Sequence, residues 1–229
     1  MSTTDNTAFT KEEVMSFKEQ LLSNEGWKKL TKEGEDPEVY SKANENKLFT
    51  FKIITHQLKD LEPVEIFNAQ NDTAYVLSLK SVIVNKEVLE KIDDCNEIIY
   101  QTQKMAMLDP RDFVLKTIRY HNKDMTEFIT YCKSVDNTIP IKKGTIRATV
   151  YIQGGLITKS EKEGTTVYTT SCVDLAGNVP QAIMGETMTK KISKKMVTKI
   201  KENVLNYPKW EEQHKDVEKT WLKTLDWMN

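Results

Sequence analysis

The amino-acid sequence predicts an α+β fold in which an antiparallel sheet packs against a long helix near the C-terminus. Short runs of strand-forming residues follow one another directly between turn residues, without the alternating helices that a parallel sheet needs. The longest helical pattern comes after them, from Pro180 to about Asn206. In this pattern large apolar residues recur near every fourth position, namely Met184, Met188, Ile192, Met196, Ile200 and Val204.

The first elements of the chain are a helix and a meander of short strands. Thr10 and Glu13 form a capping-box pattern ahead of an apolar face, which predicts a helix over residues 12–22. Three strand-forming runs, separated by turn residues, follow over residues 27–56. These runs predict a small antiparallel meander.

A helical crossover then leads into the main part of the sheet. Pro63 suits the first turn of a helix, and the helical pattern extends over residues 62–79 with a break near Asn71 and Asp72. Gly154-Gly155, the one double glycine of the chain, indicates a hairpin or a bulge. The predicted strands of this part cover residues 86–92, 97–103, 112–120, 127–135, 145–153 and 165–174.

The end of the chain is predicted to form a separate tail. Pro208 should end the long helix, because proline has no N–H to continue the helical hydrogen bonds. A further short helix that contains Trp210, Trp221 and Trp227 follows it. We therefore expect one domain over residues 1–207 and a tryptophan-rich helical tail over residues 208–229. The tail could pack on the sheet, lie on a membrane interface or bind a protein partner.

Composition and charge exclude several classes of function. The 229 residues contain 33 Lys and Arg against 34 Asp and Glu, so no strong positive field would attract nucleic acid. No apolar run approaches the length of a membrane span, and the first residues lack the features of a secretory signal. We therefore expect a cytoplasmic protein. Its three cysteines are far apart, so neither a disulfide framework nor a zinc site is predicted.

The motifs of catalysis and cofactor binding are missing from the sequence. It contains no glycine-rich phosphate loop, no nucleophile elbow and no pair of histidines at zinc-ligand spacing. We therefore predict a non-enzymatic protein with no cofactor and no metal. An antiparallel sheet closed by one amphipathic helix can instead enclose an apolar ligand. The methionines of the long helix favour such a cavity, since methionine adapts to variable apolar shapes.

Several motifs along the chain resemble those of one known family. The segment MLDPRDFV at residues 107–114 resembles the PRDFV segment of START domains, the StAR-related lipid-transfer family. Residues 134–148 resemble the family's next conserved stretch, with Ser-Val, then proline, then Gly-Thr-Ile-Arg-Ala. The segment DLAGNVP at residues 174–180 resembles the one that leads into the family's C-terminal helix. The resemblance extends over residues 12–207 and is strongest over residues 86–200.

The resemblance implies a helix-grip fold: a curved antiparallel sheet wrapped on a long C-terminal helix, with an internal hydrophobic tunnel for one lipid. It also implies a carrier that takes a lipid from a membrane, shields it from water and releases it, without covalent chemistry. The tunnel would be gated by the C-terminal helix and the Met105–Asp109 loop. The protein would then contact membrane surfaces transiently and be peripheral to them.

The resemblance also proposes which residues contact the lipid. Thr117 stands where the family usually has an arginine, and Gln101 stands where an acidic partner is common. Because this charge pair is typical of sterol carriers, its replacement leaves a phospholipid or a fatty acid more open than a sterol-like lipid. Strand periodicity then selects the inward side chains. With one loop residue and two helix residues, the predicted lipid-binding set is Ile99, Gln101, Gln103, Met107, Phe113, Leu115, Thr117, Ala148, Val150, Ile152, Met184 and Met188.

Alternatives remain open at this point. An enzyme on a related scaffold, such as a cyclase or a hydrolase, would need a clustered histidine or acidic residue with a shifted pKa inside the cavity. His56 or His121 facing the cavity would support that alternative. A module without a ligand would act through the tryptophan-rich tail. The lysines of the long helix would either be attracted to an anionic membrane or form an ordinary solvated helix face. These lysines are Lys190, Lys191, Lys194, Lys195, Lys199 and Lys201.

Overall fold

The computed structural model describes residues 7–43, 48–135, 139–180, 185–225 and 227. Within these ranges the chain forms four α-helices and ten strands. In chain order they are α1 (Lys11–Leu22), β1 (Lys28–Lys29), β2 (Glu38–Ala43), β3 (Phe49–Thr55), α2 (Pro63–Asn71), α3 (Thr73–Ser78), β4 (Ile83–Lys91), β5 (Asn96–Gln103), β6 (Arg111–His121), β7 (Glu127–Ser134), β8 (Ile146–Arg147), β9 (Thr149–Ser160), β10 (Gly164–Asp174) and α4 (Glu186–Gln213).

The ten described strands form one sheet in the order β1-β2-β3-β10-β9-β7-β6-β5-β4, with β8 beside β6. Every pairing in it is antiparallel except the short contact between β8 and β6. The meander of β1, β2 and β3 joins the main sheet through β10. The antiparallel sheet predicted from the sequence is therefore confirmed.

Strand β9 differs from its prediction. It does not break at Gly154-Gly155 but continues through both glycines to Ser160. A Cβ atom at Gly154 would lie 2.1 Å from the Thr130 carbonyl oxygen, so only glycine fits this position in the sheet. The irregularity lies earlier in the strand, because Cys172 pairs with Ile152 while the next residue, Val173, pairs with Val150. Tyr151, which lies between these two partners on β9, is therefore the extra residue of a β-bulge. Residues before and after the bulge consequently alternate in opposite phase between the two faces of the sheet.

Helix α1 covers one face of the sheet. Its buried side chains are Val14, Phe17 and Leu21, and the Phe17 ring stacks on Tyr131 with a centroid distance of 4.3 Å. The helix begins with the capping box between Thr10 and Glu13 that the sequence predicted. This face is therefore filled by protein side chains.

The other face of the sheet is covered by α2, α3 and α4. The break predicted near Asn71 and Asp72 is confirmed, because α2 ends at Asn71 and α3 begins at Thr73. The residues buried between these helices and the sheet include Ile66, Phe67, Tyr75, Phe128, Ile157, Val167, Val204, Tyr207 and Trp221. This face carries the larger core and, further along α4, the space described below.

Asp72 joins the three helices of this face. Its side chain is buried and accepts a hydrogen bond from the backbone N–H of Tyr75, which caps α3. The same carboxylate accepts bonds from the Tyr207 hydroxyl and the Trp210 indole N–H of α4, each at 3.2 Å. Burial, and then the negative charge of Asp72, raise the pKa of Tyr207. The C-terminal half of α4 is thus fixed to the α2–α3 junction.

The predicted end of α4 at Pro208 is wrong. The helix continues through Pro208 to Gln213, and no further α-helix forms in the described residues 214–225. The chain after α4 packs on the domain, since Trp221 is buried and its indole N–H donates to the Asn68 side chain at 2.9 Å. The Trp227 ring lies 5.5 Å from that of Tyr120. A division of the chain at residue 207 stays a prediction.

We expect Asp72→Ala to lower the free energy of unfolding by about 3 kcal/mol, because it removes a helix cap and leaves the buried Tyr207 hydroxyl and the half-buried Trp210 N–H without their acceptor. Urea denaturation followed by circular dichroism measures this change. The control is Asp60→Ala, since Asp60 is exposed and should tolerate the same truncation. Equal stability of the two variants would contradict the role of Asp72.

Candidate functional site

A cavity of about 500 Å³ lies between the sheet and α4. Strands β3 to β7, β9 and β10 form most of its wall, and α2 and α4 complete it. Its apolar lining residues are Phe51, Ile53, Phe67, Ile83, Ile99, Leu115, Phe128, Ile157, Val167, Ile192, Met196 and Ile200. The volume falls within the ordinary range for a small-molecule site.

The structure brings together five of the residues that the sequence proposed for the site. They lie on the cavity wall and are Ile99, Gln101, Gln103, Leu115 and Thr117. Phe113, Ala148 and Val150 pack in a cluster with Ile99 and Leu115, beside the cavity. They belong to the core that borders the site and are not among its lining residues.

The remaining proposed residues lie elsewhere. Ile152 packs with the α1 side of the sheet, because the bulge on β9 separates its face from that of Val150. Met107 is 88% exposed, at the tip of the loop before β6. Met188 is half-buried on α4 but is not among the lining residues, and Met184 is outside the described residues.

Helix α4 contributes a different set of residues to the cavity than its methionine pattern indicated. The α4 residues that line the wall are Thr189, Ile192, Ser193, Met196 and Ile200. Ile192, Met196 and Ile200 belong to the apolar pattern of the sequence. A search for apolar residues alone misses Thr189 and Ser193. Their spacing of four and three residues ahead of Met196 was the signal that could have identified them.

One end of the cavity is polar and charged. The Arg119 guanidinium donates through Nη2 to Glu97 Oε1 at 2.6 Å, and both side chains are close to nine-tenths buried. Lys86 also lines the wall, directly across the β4–β5 ladder from Gln101. Burial and the nearby charge of Arg119 lower the pKa of Lys86 to about 8, although Glu97 acts in the opposite direction.

Two buried polar atoms at this end have no hydrogen-bond partner in the described part of the chain. They are the Thr117 hydroxyl oxygen and Nε of Arg119.

Cys132 pairs with Thr117 in the β6–β7 ladder, and burial raises the pKa of the Cys132 thiol to about 12. The thiol is therefore protonated and unreactive at neutral pH. Strand periodicity could have identified Arg119, since it lies two residues beyond Thr117.

Comparisons with known proteins agree with this architecture. A profile of the START domain matches residues 8–211 of the chain. The chain belongs to the START domain family. Among curated protein sequences, none matches it.

Solved START structures share the fold at low sequence identity. The structure of human STARD10 superposes with a TM-score of 0.83 and 19% identity, over 96% of this chain and 92% of that one. Human StAR-related lipid transfer protein 5 gives a TM-score of 0.71 and 16% identity, over 86% and 93% of the two chains. This START domain therefore has the helix-grip fold, with its curved antiparallel sheet and long C-terminal helix.

The PRDFV motif of this START domain has a structural role. Arg111 is buried, and its Nε and Nη2 donate to the carbonyl oxygens of Leu175 and Ala176 at 3.1 and 3.2 Å. It thereby holds the segment between β10 and α4. Asp112 is also buried and accepts from Nε of Arg147 at 2.9 Å. Burial alone would raise the pKa of Asp112, but the Arg147 guanidinium holds it below its usual range.

The histidines that the enzyme alternative needed are placed away from the cavity wall. Nδ1 of His56 lies 3.0 Å from the Thr166 hydroxyl, and Nδ1 of His121 lies 2.8 Å from the Asn122 carbonyl oxygen. Neither histidine is among the lining residues.

Within the described ranges, no group of three His, Cys, Asp or Glu side chains could hold a metal ion. No described helix combines the length and the apolar character of a membrane span.

Proposed function

We propose that this START domain binds one amphiphilic lipid in its cavity and carries it between membranes. The observation that supports this function best is the cavity itself, with its largely apolar wall, in a chain of this family. Transfer of each methylene group from water to such a wall stabilises the complex by about 0.8 kcal/mol. One of the solved structures that share the fold is named for lipid transfer, as StAR-related lipid transfer protein 5.

The two halves of α4 are held differently, which supports a gate at its first half. Beyond its contacts with Asp72, the second half is tied to α3 by the Tyr75 hydroxyl, which donates to the Asn203 carbonyl oxygen at 2.6 Å. The first half lies over the cavity and is held at Glu186 by Lys28 and Ser41, at 2.7 and 2.6 Å. The ion pair with Lys28 is exposed and contributes little stability, which leaves the hydrogen bond from the Ser41 hydroxyl as the main tie at this end. We propose that the first half of α4 moves to admit the lipid.

The Met105–Asp109 loop is the second part of the proposed gate. Met105 and Leu108 pack on the cluster of Phe113, Leu115 and Val150 that borders the cavity. Met107, between them, is exposed to solvent and has a positive φ of 65°. An exposed methionine on such a loop suits transient contact with the apolar part of a membrane.

The lysines of α4 support the membrane contact. Two of the six have acidic partners: Lys194 pairs with Glu35 at 3.0 Å, and Lys199 pairs with Glu202 at 3.4 Å. The other four have no carboxylate within ion-pair distance in the described part of the chain. We propose a cytoplasmic protein that meets anionic membranes through this helix, since lysine near such a surface is attracted to it.

Blocking the cavity tests the carrier function. Gln153 lines the wall in the middle of β9 and is half-buried, so Gln153→Trp should fill the space with little loss of stability. We expect its uptake of a fluorescent lipid mixture to fall at least about tenfold, because the ring occupies volume that the lipid needs. The matched control is Tyr151→Trp, since Tyr151 is 45% exposed on the same strand. Unchanged uptake by Gln153→Trp would contradict binding in this cavity.

A covalent tether tests the gate. In Lys28→Cys/Glu186→Cys, a short bis-maleimide should join α4 to β1 at an existing ion pair whose lysine is exposed, and the native cysteines should not compete because they are buried. We expect the cross-linked protein to take up lipid at least about tenfold more slowly, since the first half of α4 cannot lift. The control is Glu211→Cys/Lys219→Cys, which cross-links the fixed end of the helix at an existing ion pair. Equal uptake rates for both cross-linked proteins would overturn the gate.

The charge of α4 is tested by vesicle binding. Lys191→Gln/Lys195→Gln removes two exposed charges and should weaken binding to phosphatidylserine-containing vesicles by about 2 kcal/mol, or roughly 30-fold. Sedimentation of the protein with vesicles at low salt measures the change. Lys59→Gln/Lys162→Gln makes the same change in net charge at exposed sites off the helix. An equal loss in both variants would show that net charge, and not α4, attracts the membrane.

A further inference from the structure

The charged end of the cavity holds an excess of positive charge. Two cations, Lys86 and Arg119, and one anion, Glu97, meet there across β4, β5 and β6. Arg119 and Glu97 neutralise each other through their short ion pair. Lys86 has no carboxylate within hydrogen-bond or ion-pair distance in the described residues. One positive charge therefore remains without a partner on the wall of a largely apolar cavity.

An unpaired charge at such a place destabilises the empty protein. Burial of an ammonium group costs free energy unless an anion accepts its hydrogen bonds. The lowered pKa of Lys86 reports the same cost, because burial makes the proton easier to lose than in water. With a pKa of about 8 the side chain is still mostly protonated at neutral pH. Arg119 and Glu97 face Lys86 from β6 and β5, and Cys132 faces it from β7. Of these groups only Glu97 is acidic, and it is already bonded to Arg119.

Further polar groups at this end also lack partners. The Thr117 side chain is 5% exposed, and its hydroxyl has no partner in the described chain. Nε of Arg119 is likewise unpaired. Gln101 is 7% exposed and opposes Lys86 in the ladder, and its amide has no hydrogen bond within the described ranges. Three groups at this end, the Lys86 ammonium, the Thr117 hydroxyl and Nε of Arg119, can therefore donate to an acceptor that the described chain does not supply.

We propose that the ligand is an anionic amphiphile whose carboxylate or phosphate group binds Lys86, with the Thr117 hydroxyl and Nε of Arg119 donating to the same anion. The inference rests on the proposed function, because the apolar chain of this ligand would occupy the rest of the cavity. A bound anion supplies the acceptor that these three groups lack and stabilises the charged form of Lys86. A cationic head group would instead be repelled by Lys86.

Four single-chain lipids test this specificity. Delipidated protein is titrated by calorimetry with palmitate, 1-palmitoyl lysophosphatidate, 1-palmitoyl lysophosphatidylcholine and 1-monopalmitoylglycerol, each below its micelle concentration. We expect palmitate, lysophosphatidate or both to bind at least about tenfold more tightly than the neutral glyceride, since a charged hydrogen bond adds to the same chain contacts. Preference for palmitate would indicate a fatty acid, and preference for lysophosphatidate would indicate a phosphate monoester.

The variant Lys86→Met tests the residue. It keeps an unbranched side chain and removes the charge, so we expect its preference for the anion over monopalmitoylglycerol to disappear. Circular dichroism shows independently whether the variant is folded. Lys91→Met is the control on the same strand, because Lys91 is exposed and should leave the preference unchanged.

Three results would overturn the inference. In the first, the neutral glyceride or the choline lipid binds the wild type as tightly as the anions. In the second, Lys86→Met keeps the full preference for the anion. Both leave the carrier function intact and refute only the anionic ligand. In the third, none of the four lipids binds, and the carrier function fails together with the inference.

Discussion

The position of α4 depends on one buried carboxylate. Asp72 caps α3 and accepts hydrogen bonds from Tyr207 and Trp210, so three helices meet at a single acceptor. A buried carboxylate with several donors fixes its partners closely, because each lost bond would leave a buried polar group unpaired. This junction holds the second half of α4 against the sheet. The first half then extends over the cavity, where its start is held through Glu186 by Lys28 and Ser41 and further along by the ion pair of Lys194 with Glu35.

The cavity and the core use the same sheet in opposite ways. On the α1 side, aromatic and aliphatic side chains such as Phe17 and Tyr131 fill the space completely. On the α4 side, small and polar residues such as Gly155, Thr170 and Ser193 replace the large side chains that would close it. The volume left open is one that an apolar chain can fill, and the unpaired charge of Lys86 marks the end at which a head group would lie.

The family motif and the specificity of the site reside in different residues. Arg111 and Asp112 of the PRDFV segment hold the loop before α4 and the strand β8, and neither lines the cavity. The motif therefore identifies the fold but gives no information about the ligand. The polar and charged groups on the cavity wall are instead Thr117, Gln101, Lys86 and Arg119, with others of the same strands.

The sequence by itself determined the antiparallel sheet, the capping box of α1, the break at Asp72 and the face of β5 and β6 that meets the cavity. Each of these depends on local spacing or on a local hydrogen bond. The sequence did not predict the face on which Ile152 lies, because the bulge before that residue appears only when β9 pairs with β10. It failed at Pro208, because tertiary contacts of Tyr207 and Trp210 carry α4 past a residue that usually ends helices. The meeting of Lys86, Glu97 and Arg119 was also decided by the tertiary structure, since these residues lie on three strands and only strand register sets their distances.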